Sequence, residues 1–218
     1  MFVPPMYRTE NEGRLRQVME RYPLAMLLTN GEPTPYATHL PVVFDQNGAP
    51  GTDGPVGATL LGHMNRDNPH WRTLTDGLAA KLVFTGPHSY ITPTLYETTP
   101  AAPTWNFVTV HLEGTVHPVT DFEETLGVVQ ATVETFELAF GSKWDMDSSL
   151  DYFRHIGPAV GAFRFVVTSA DGMFKLSQEK TPEIQHRIAD RLIGTETGTR
   201  HELGALMAEF TLGDRDGV

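Results

Sequence analysis

Turn-forming Gly, Pro and Asn cut this chain into short stretches of β-type residues, and that punctuation most narrows the folds open to it. LAMLLTNG (24–31) reads as a buried strand closed by an Asn-Gly turn. YATHLPVVF (36–44) reads as a second strand whose Pro41 points to an edge or bulge. A loop, QNGAPGTDGP, separates it from a third, GATLLGHM (57–64). LAAKLVFTG (78–86) is the fourth, ending in the turn GPHSY. TWNFVTVHLEGTVHPV (104–119) is a long strand with Val108, Val110 and Leu112 on one face and Phe107, Thr109, His111 and Glu113 on the other. GAFRFVVTSADGMFKLS (161–177) reads as a hairpin turning at Asp171-Gly172. Strands this close in sequence, joined by turns, favour an antiparallel barrel with helices around it.

The helices announce themselves separately. Thr9 with Glu12 fits a capping box ahead of Leu15, Val18, Met19 and Tyr22, and Pro23 stops that helix. A short helix is expected from Asn68 to Asp76, with Asn68 as cap and Pro69 at its first position. Asp121 and Glu124 open the most regular one, in which Phe122, Leu126, Val129, Val133, Phe136 and Phe140 recur at helical spacing. PEIQHRIADRLIG and HELGALMAEF supply C-terminal helices over about 181–212. No repeat or long linker divides the chain, so the expectation is a mainly β, α+β single domain over residues 1–218.

Composition excludes several chemistries. No cysteine is present, which removes disulfides, thiolate nucleophiles and thiolate-ligated metals, so any metal falls to His, carboxylate, Tyr or Met. Sixteen basic against 27 acidic residues give a net charge of −11, which repels phosphate backbones and disfavours nucleic acid as a partner. No run of about 18 apolar residues suggests a membrane span. MFVPPMYRTE lacks the basic flank and apolar core of a secretory signal, so the cytoplasm is the expected compartment.

The nine histidines are the natural place to look for a site. His39 sits in a strand, His63 at a strand end, His70 just inside a helix and His88 in a turn. His111 and His117 lie on or near the long strand, and His155, His186 and His201 fall in helices. No HExxH or tight histidine pair is present, which argues against a sequence-local zinc site. His111 and Glu113 share a strand face and could ligate a metal, but two solvated polar residues is the simpler reading.

His63 follows Gly62 at the expected mouth of the barrel, where ligands are commonly held, and imidazole is the usual haem ligand in the absence of thiolate. A structural corner histidine is the competing reading. Arg66 could hold a propionate or phosphate, or simply be a surface arginine. Tyr90 and Tyr96, in GPHSYITPTLY, could stack on a planar cofactor or cover a barrel end. Trp105, in PTWNF, is a ligand wall or a core edge. Lys175 and Ser177, in KLSQEK, share a strand face suited to a phosphate or carboxylate, or are merely solvated.

Taken in order, MFVPPMY, ATHLPVVFD, LLGHMNRDNPHW, FTGPHSYITPTLY, PTWNFVTVH and KLSQEK resemble the PaiB-like proteins, the FMN-binding negative transcriptional regulators, over about residues 1–192. The resemblance implies a split β-barrel with peripheral helices, working as a homodimer with its cofactor pocket between subunits. Regulator-like members carry a lysine-containing loop before the Pro-Thr-Trp motif, whereas ETTPAAPTWNF has no lysine between Tyr96 and Trp105. That departure, with GHMNR and KLSQEK, is similar to the piperazate synthases, which use haem b to cyclise δ-N-hydroxy-L-ornithine to L-piperazic acid in natural-product biosynthesis. The resemblance puts the axial, metal-binding histidine at His63; Arg66 and Trp105 are the candidate cofactor contacts on their own chemistry. Tyr90, Tyr96, Thr104 and Lys175 are the candidates for contacts to the amino-acid substrate or for proton transfer. An FMN-binding regulator without catalysis is the alternative.

Overall fold

The computed structural model describes residues 1–9, 11–47, 54–141, 144–195 and 198–213, with the side chains of 211–213 left aside. Six strands close an antiparallel barrel in the order β1 (Leu24–Thr29), β2 (Tyr36–Phe44), β3 (Thr59–Asn65), β6 (Val160–Lys175), β5 (Thr104–Pro118), β4 (Leu78–Ile91). Leu27 stands opposite Thr38 of β2 and Leu82 of β4, Val43 opposite Leu61, and His63 opposite Ala162. The helices are α1 (Glu12–Arg21), α2 (Phe122–Phe140), α3 (Leu150–Ile156), α4 (Pro182–Ile193) and α5 (Thr199–Gly213). Most of the QNGAPGTDGP loop lies outside the described residues. Among the described residues no helix is long and apolar enough to cross a membrane.

The chain forms two compact units built from interleaved segments. One comprises Asn11–Phe84 and His111–Ala170; the other comprises Met1–Glu10, Thr85–Val110 and Asp171–Val218. In the first, alternation along the strands sends Leu27, Leu40, Leu60, Leu82 and Phe163 inward, all nearly inaccessible to water. The opposite face of β3 and β6 carries Leu61 and Ala162, which pack with Val43, Val119 and Val128 of α2. In the second, Phe174 stacks on Phe210, and Ile188, Leu192, Leu203 and Met207 are buried from α4 and α5.

Two expected turns are absent. GPHSY continues β4 to Ile91: a Cβ at Gly86 would lie 3.2 Å from the Val108 side chain, so the glycine admits the close approach of β5. Asp171-Gly172 likewise sits inside the 16-residue β6, with the Asp171 carboxylate 2.9 Å from the Met1 amino group. Membership of a long strand paired within the barrel overrides the local Asp-Gly preference.

The helix starts also shift. α1 begins at Glu12 with Asn11 as its cap residue, so Thr9 does not form the anticipated box. The expected 68–76 helix shrinks to one 3-10 turn, Trp71–Thr73, because the Asn68 side chain folds back on the His70 amide at 3.0 Å. α2 matches its pattern and is capped by Asp121, whose Oδ1 accepts from the Glu124 amide at 2.9 Å. Its buried face is Thr125, Leu126, Val128 and Thr132, while Phe122 and Phe140 of the predicted stripe stay exposed.

Candidate functional site

GHMNRDNPHW holds two histidines that differ sharply in environment. His70 is 1% exposed and both ring nitrogens are bonded, Nε2 to the Thr29 hydroxyl and Nδ1 to the Thr38 hydroxyl, each at 2.9 Å. Its ring stacks on Tyr36 with centroids 5.2 Å apart. His70 therefore ties β1, β2 and the Asn68 turn together, the structural corner anticipated as one reading of His63. His63 has the opposite character: half-buried, with Nδ1 inaccessible to water and without a hydrogen-bond partner among the described residues. Such an orphaned nitrogen is costly unless a ligand or partner satisfies it. Burial holds the imidazole below its ordinary pKa and so keeps it neutral, the form that coordinates a metal.

The position of His63 corrects one expectation. β3 runs on through Asn65, paired with Val160, so Gly62-His63 is not the strand's end. A Cβ at Gly62 would meet Phe163 at 2.5 Å and Leu40 at 3.1 Å, which marks Gly62 as inward-facing. His63 consequently shares the outward face of Leu61, on the barrel's wall and not at its mouth. Arg66 follows directly after the strand. Its Nε donates to the Val160 carbonyl at 2.8 Å and its guanidinium lies 5.7 Å from the Trp71 ring centroid, so its terminal nitrogens alone remain for a ligand.

In the other unit, Trp105 at the start of β5 lies between two residues of β4: His88, stacked at 5.9 Å, and Tyr90, tilted at 6.2 Å. His88 is thus a strand residue and not part of a turn. Lys175 Nζ donates to the Thr104 hydroxyl at 2.6 Å. Tyr96 is 2% exposed, and its hydroxyl has no partner among the described residues. The Lys180 ammonium lies 4.5 Å from the Tyr96 ring centroid. Burial first, then the charges of Glu179 and Tyr90, raise the Tyr96 pKa, so the phenol keeps its proton at neutral pH.

Ser177 does not share a strand face with Lys175. β6 ends at Lys175, and Ser177 adopts φ +65°, fully buried and bonded to Asn106 at 2.9 Å. Asn106 went unnoticed in the sequence because it hides inside a strand pattern; its place on the same strand face as Val108, Val110 and Leu112 was the only signal available.

The other metal candidates dissolve. Glu113 forms an ion pair with Lys81 at 2.8 Å, and among the described residues no group of three or more His, Asp or Glu side chains could hold an ion. His117 bridges Asp76 at 2.7 Å and the Thr115 hydroxyl at 2.9 Å on the surface.

The family described as "Putative FMN-binding domain" matches residues 1–169. The chain belongs to it. This PaiB-like family includes relatives over nearly the whole chain. "Protease synthase and sporulation protein PAI 2" of Bacillus subtilis is 25% identical over 211 residues, covering 96% of this chain and 97% of that protein. "Uncharacterized protein AN0679" of Emericella nidulans is 28% identical over 216 residues, covering 82% of this chain and 85% of that one. Among solved structures, the FAD and heme binding protein from Mycobacterium smegmatis aligns with a TM-score of 0.53 at 17% identity, over 78% of this chain and 73% of that one. The flavocytochrome Anf3 from Azotobacter vinelandii aligns at 0.52 and 12%, over 77% and 69%. The fold is thus the split β-barrel of the PaiB-like FMN-binding family, with peripheral helices, as the motif order implied. Within the PaiB-like match fall His63, Arg66, Tyr90, Tyr96, Thr104 and Trp105; Lys175 lies beyond it.

Proposed function

We propose that this protein is a haem-dependent cyclase that converts δ-N-hydroxy-L-ornithine to L-piperazic acid, with His63 as the residue that would hold the iron of haem b. The observation that carries the reading is the contrast within GHMNRDNPHW: one histidine has both ring nitrogens satisfied by the fold, while the other is half-buried and neutral, with a buried Nδ1 that has no partner among the described residues. The residues fit the group, since a neutral imidazole with an unpartnered buried nitrogen is a usual protein ligand of haem iron. Two proteins of similar fold carry names that couple haem to this barrel shape, the mycobacterial FAD and heme binding protein and the flavocytochrome Anf3.

The reaction forms an N–N bond, breaks an N–O bond and releases water, with no net electron transferred. Haem iron, when bound, supplies Lewis-acid polarisation of the N–O bond. The protein's own residues have the remaining tasks. Arg66, three residues after His63, keeps its terminal nitrogens for an anionic arm of the cofactor. Tyr96 retains its proton at neutral pH, which suits it to be a proton donor and not a base. Lys175 Nζ donates to the Thr104 hydroxyl, a pair able to orient the substrate carboxylate. Tyr90 stands exposed on the same strand as His88, available for a substrate contact. The working unit in this reading is a homodimer in the cytoplasm.

The second reading, a PaiB-like FMN-binding regulator without catalysis, is favoured by the family description and the Bacillus relative. The net charge of −11 argues against its contact with nucleic acid. The visible spectrum of protein purified from cells supplied with a haem precursor separates the two. A sharp Soret band that moves on adding cyanide or imidazole, and that disappears in His63→Ala, is expected. Flavin bands with yellow fluorescence, or full haem occupancy in His63→Ala, overturn the assignment.

A further inference from the structure

Met19 of α1, Phe44 of β2, Leu60 of β3, Phe84 of β4 and Phe136 of α2, all within the first compact unit, wall a cavity of about 200 Å³. Met19, Leu60 and Phe84 are all but inaccessible to water, whereas Glu20, Gln46 and Ala139 are exposed and mark its mouth. Protein interiors hold few voids larger than a water molecule, because a lining without partners forfeits its dispersion contacts. Here two of the walls are fixed by the barrel itself, since β2 and β3 pair with Phe44 opposite Leu60. The polar groups at the cavity are few and already engaged. The Thr135 hydroxyl donates to the Ala131 carbonyl at 2.8 Å, and the Glu20 carboxylate accepts from Arg16 at 2.8 Å. The Arg16 guanidinium in turn lies 4.2 Å from the Phe44 ring centroid. A water molecule needs about two to four polar partners to settle in a cavity, and a charge needs its hydration replaced; this lining supplies neither. Apolar cavities of about 150 Å³ stay dry and accept benzene. Three phenyl rings and a thioether offer such a guest the offset, edge-on and sulfur contacts that an aromatic ring prefers.

We infer that this cavity is a binding site for one small, uncharged aromatic molecule, held between α1, α2 and the barrel. None of the residues given a role toward haem or the amino-acid substrate lines it, so the site is separate from that chemistry. The inference therefore stands whichever cofactor the protein holds.

Titration of the full chain, labelled with [methyl-13C]methionine and carrying its cofactor, with toluene and with benzoate tests it by nuclear magnetic resonance. The Met19 methyl resonance, assigned through Met19→Leu, should move saturably with toluene. The methyl of Met6, which is 56% exposed and lies in the other unit, should not move. Benzoate should bind at least about tenfold more weakly, because its charge loses its hydration in the cavity. Thr135→Phe and Ala139→Phe, each adding a ring at the cavity wall, should abolish the toluene response. Leu138→Phe should leave it intact, since Leu138 is 90% exposed and does not line the cavity. Ala139 is exposed, so its variant is readable even where Thr135→Phe disturbs the fold. No saturable shift at Met19, an equal shift at Met6, equal affinity for benzoate, or a toluene response that survives Ala139→Phe and Thr135→Phe overturns the inference.

Discussion

Replacing His70 and His63 by alanine in turn should produce opposite phenotypes, although the two lie seven residues apart in one motif. His70→Ala strips partners from the Thr29 hydroxyl, which is 4% exposed, and from Thr38. An unsatisfied buried hydroxyl costs about 1–3 kcal/mol, and the lost stack on Tyr36 adds about 0.5–1.5 kcal/mol. The sum is about 3 kcal/mol, or roughly 6–12 °C in melting temperature for a chain of this size. His63→Ala removes an imidazole whose Nδ1 is already unsatisfied, so lost packing and relieved desolvation offset each other to within about 1 kcal/mol. The assay is urea and thermal unfolding of cofactor-free protein at pH 7.5, where both imidazoles are neutral, with cofactor content measured in parallel. His70→Ala should melt early yet still take up cofactor at low temperature; His63→Ala should fold normally and stay empty. If His63→Ala costs as much stability as His70→Ala, His63 is a structural residue and the functional reading built on it fails.

Stability should also depend on pH through the same pair. Burial lowers both pKa values in the fold, so below about pH 6.5 the unfolded chain takes up protons that the native state does not. Unfolding free energy therefore declines as pH falls from about 6.5 and stops declining on this account once the folded pKa is passed. Urea midpoints at pH 7.5 and 5.5 should separate more for the parent protein than for His63→Leu, and equal separations would contradict the argument. Asp121→Ala, which leaves the Glu124 amide without its acceptor, should lower stability by about 1 kcal/mol and Asp121→Gly by less; equal losses would locate the effect elsewhere. Asn106→Leu should strand the buried Ser177 hydroxyl at a cost of about 1–3 kcal/mol, read by chemical denaturation, and a neutral result would mean the pair is dispensable.

Much of the barrel was legible because its signals are local. Strand β2 was placed at its observed bounds, and Asp121 caps α2 as its sequence announces. The failures share one cause. Gly86-Pro87 and Asp171-Gly172 look like turns, yet both lie inside strands of 14 and 16 residues whose neighbours hold them straight. Asn68 reads as a helix cap, but its side chain, the His70 ring and the hydroxyls of Thr29 and Thr38 form a network that exists only after three distant segments meet. The two histidines of GHMNRDNPHW could not be told apart beforehand for the same reason: what separates them is the presence or absence of partners some thirty to forty residues away. Asn106 and Ser177, 71 residues apart, show the same limit.

The interleaving of segments bears on how such a protein can evolve. The match to the family's domain ends at residue 169, in the middle of β6, while the Bacillus relative aligns over 96% of the chain, so the edge of that domain match is not a limit of architecture. A recombination event joining a new segment there would have to continue a strand in register, which few foreign sequences do. The portion after residue 169 is therefore not a cassette that can be exchanged whole. Novelty in it must come one substitution at a time, at surface positions such as Arg200 that the strands do not constrain.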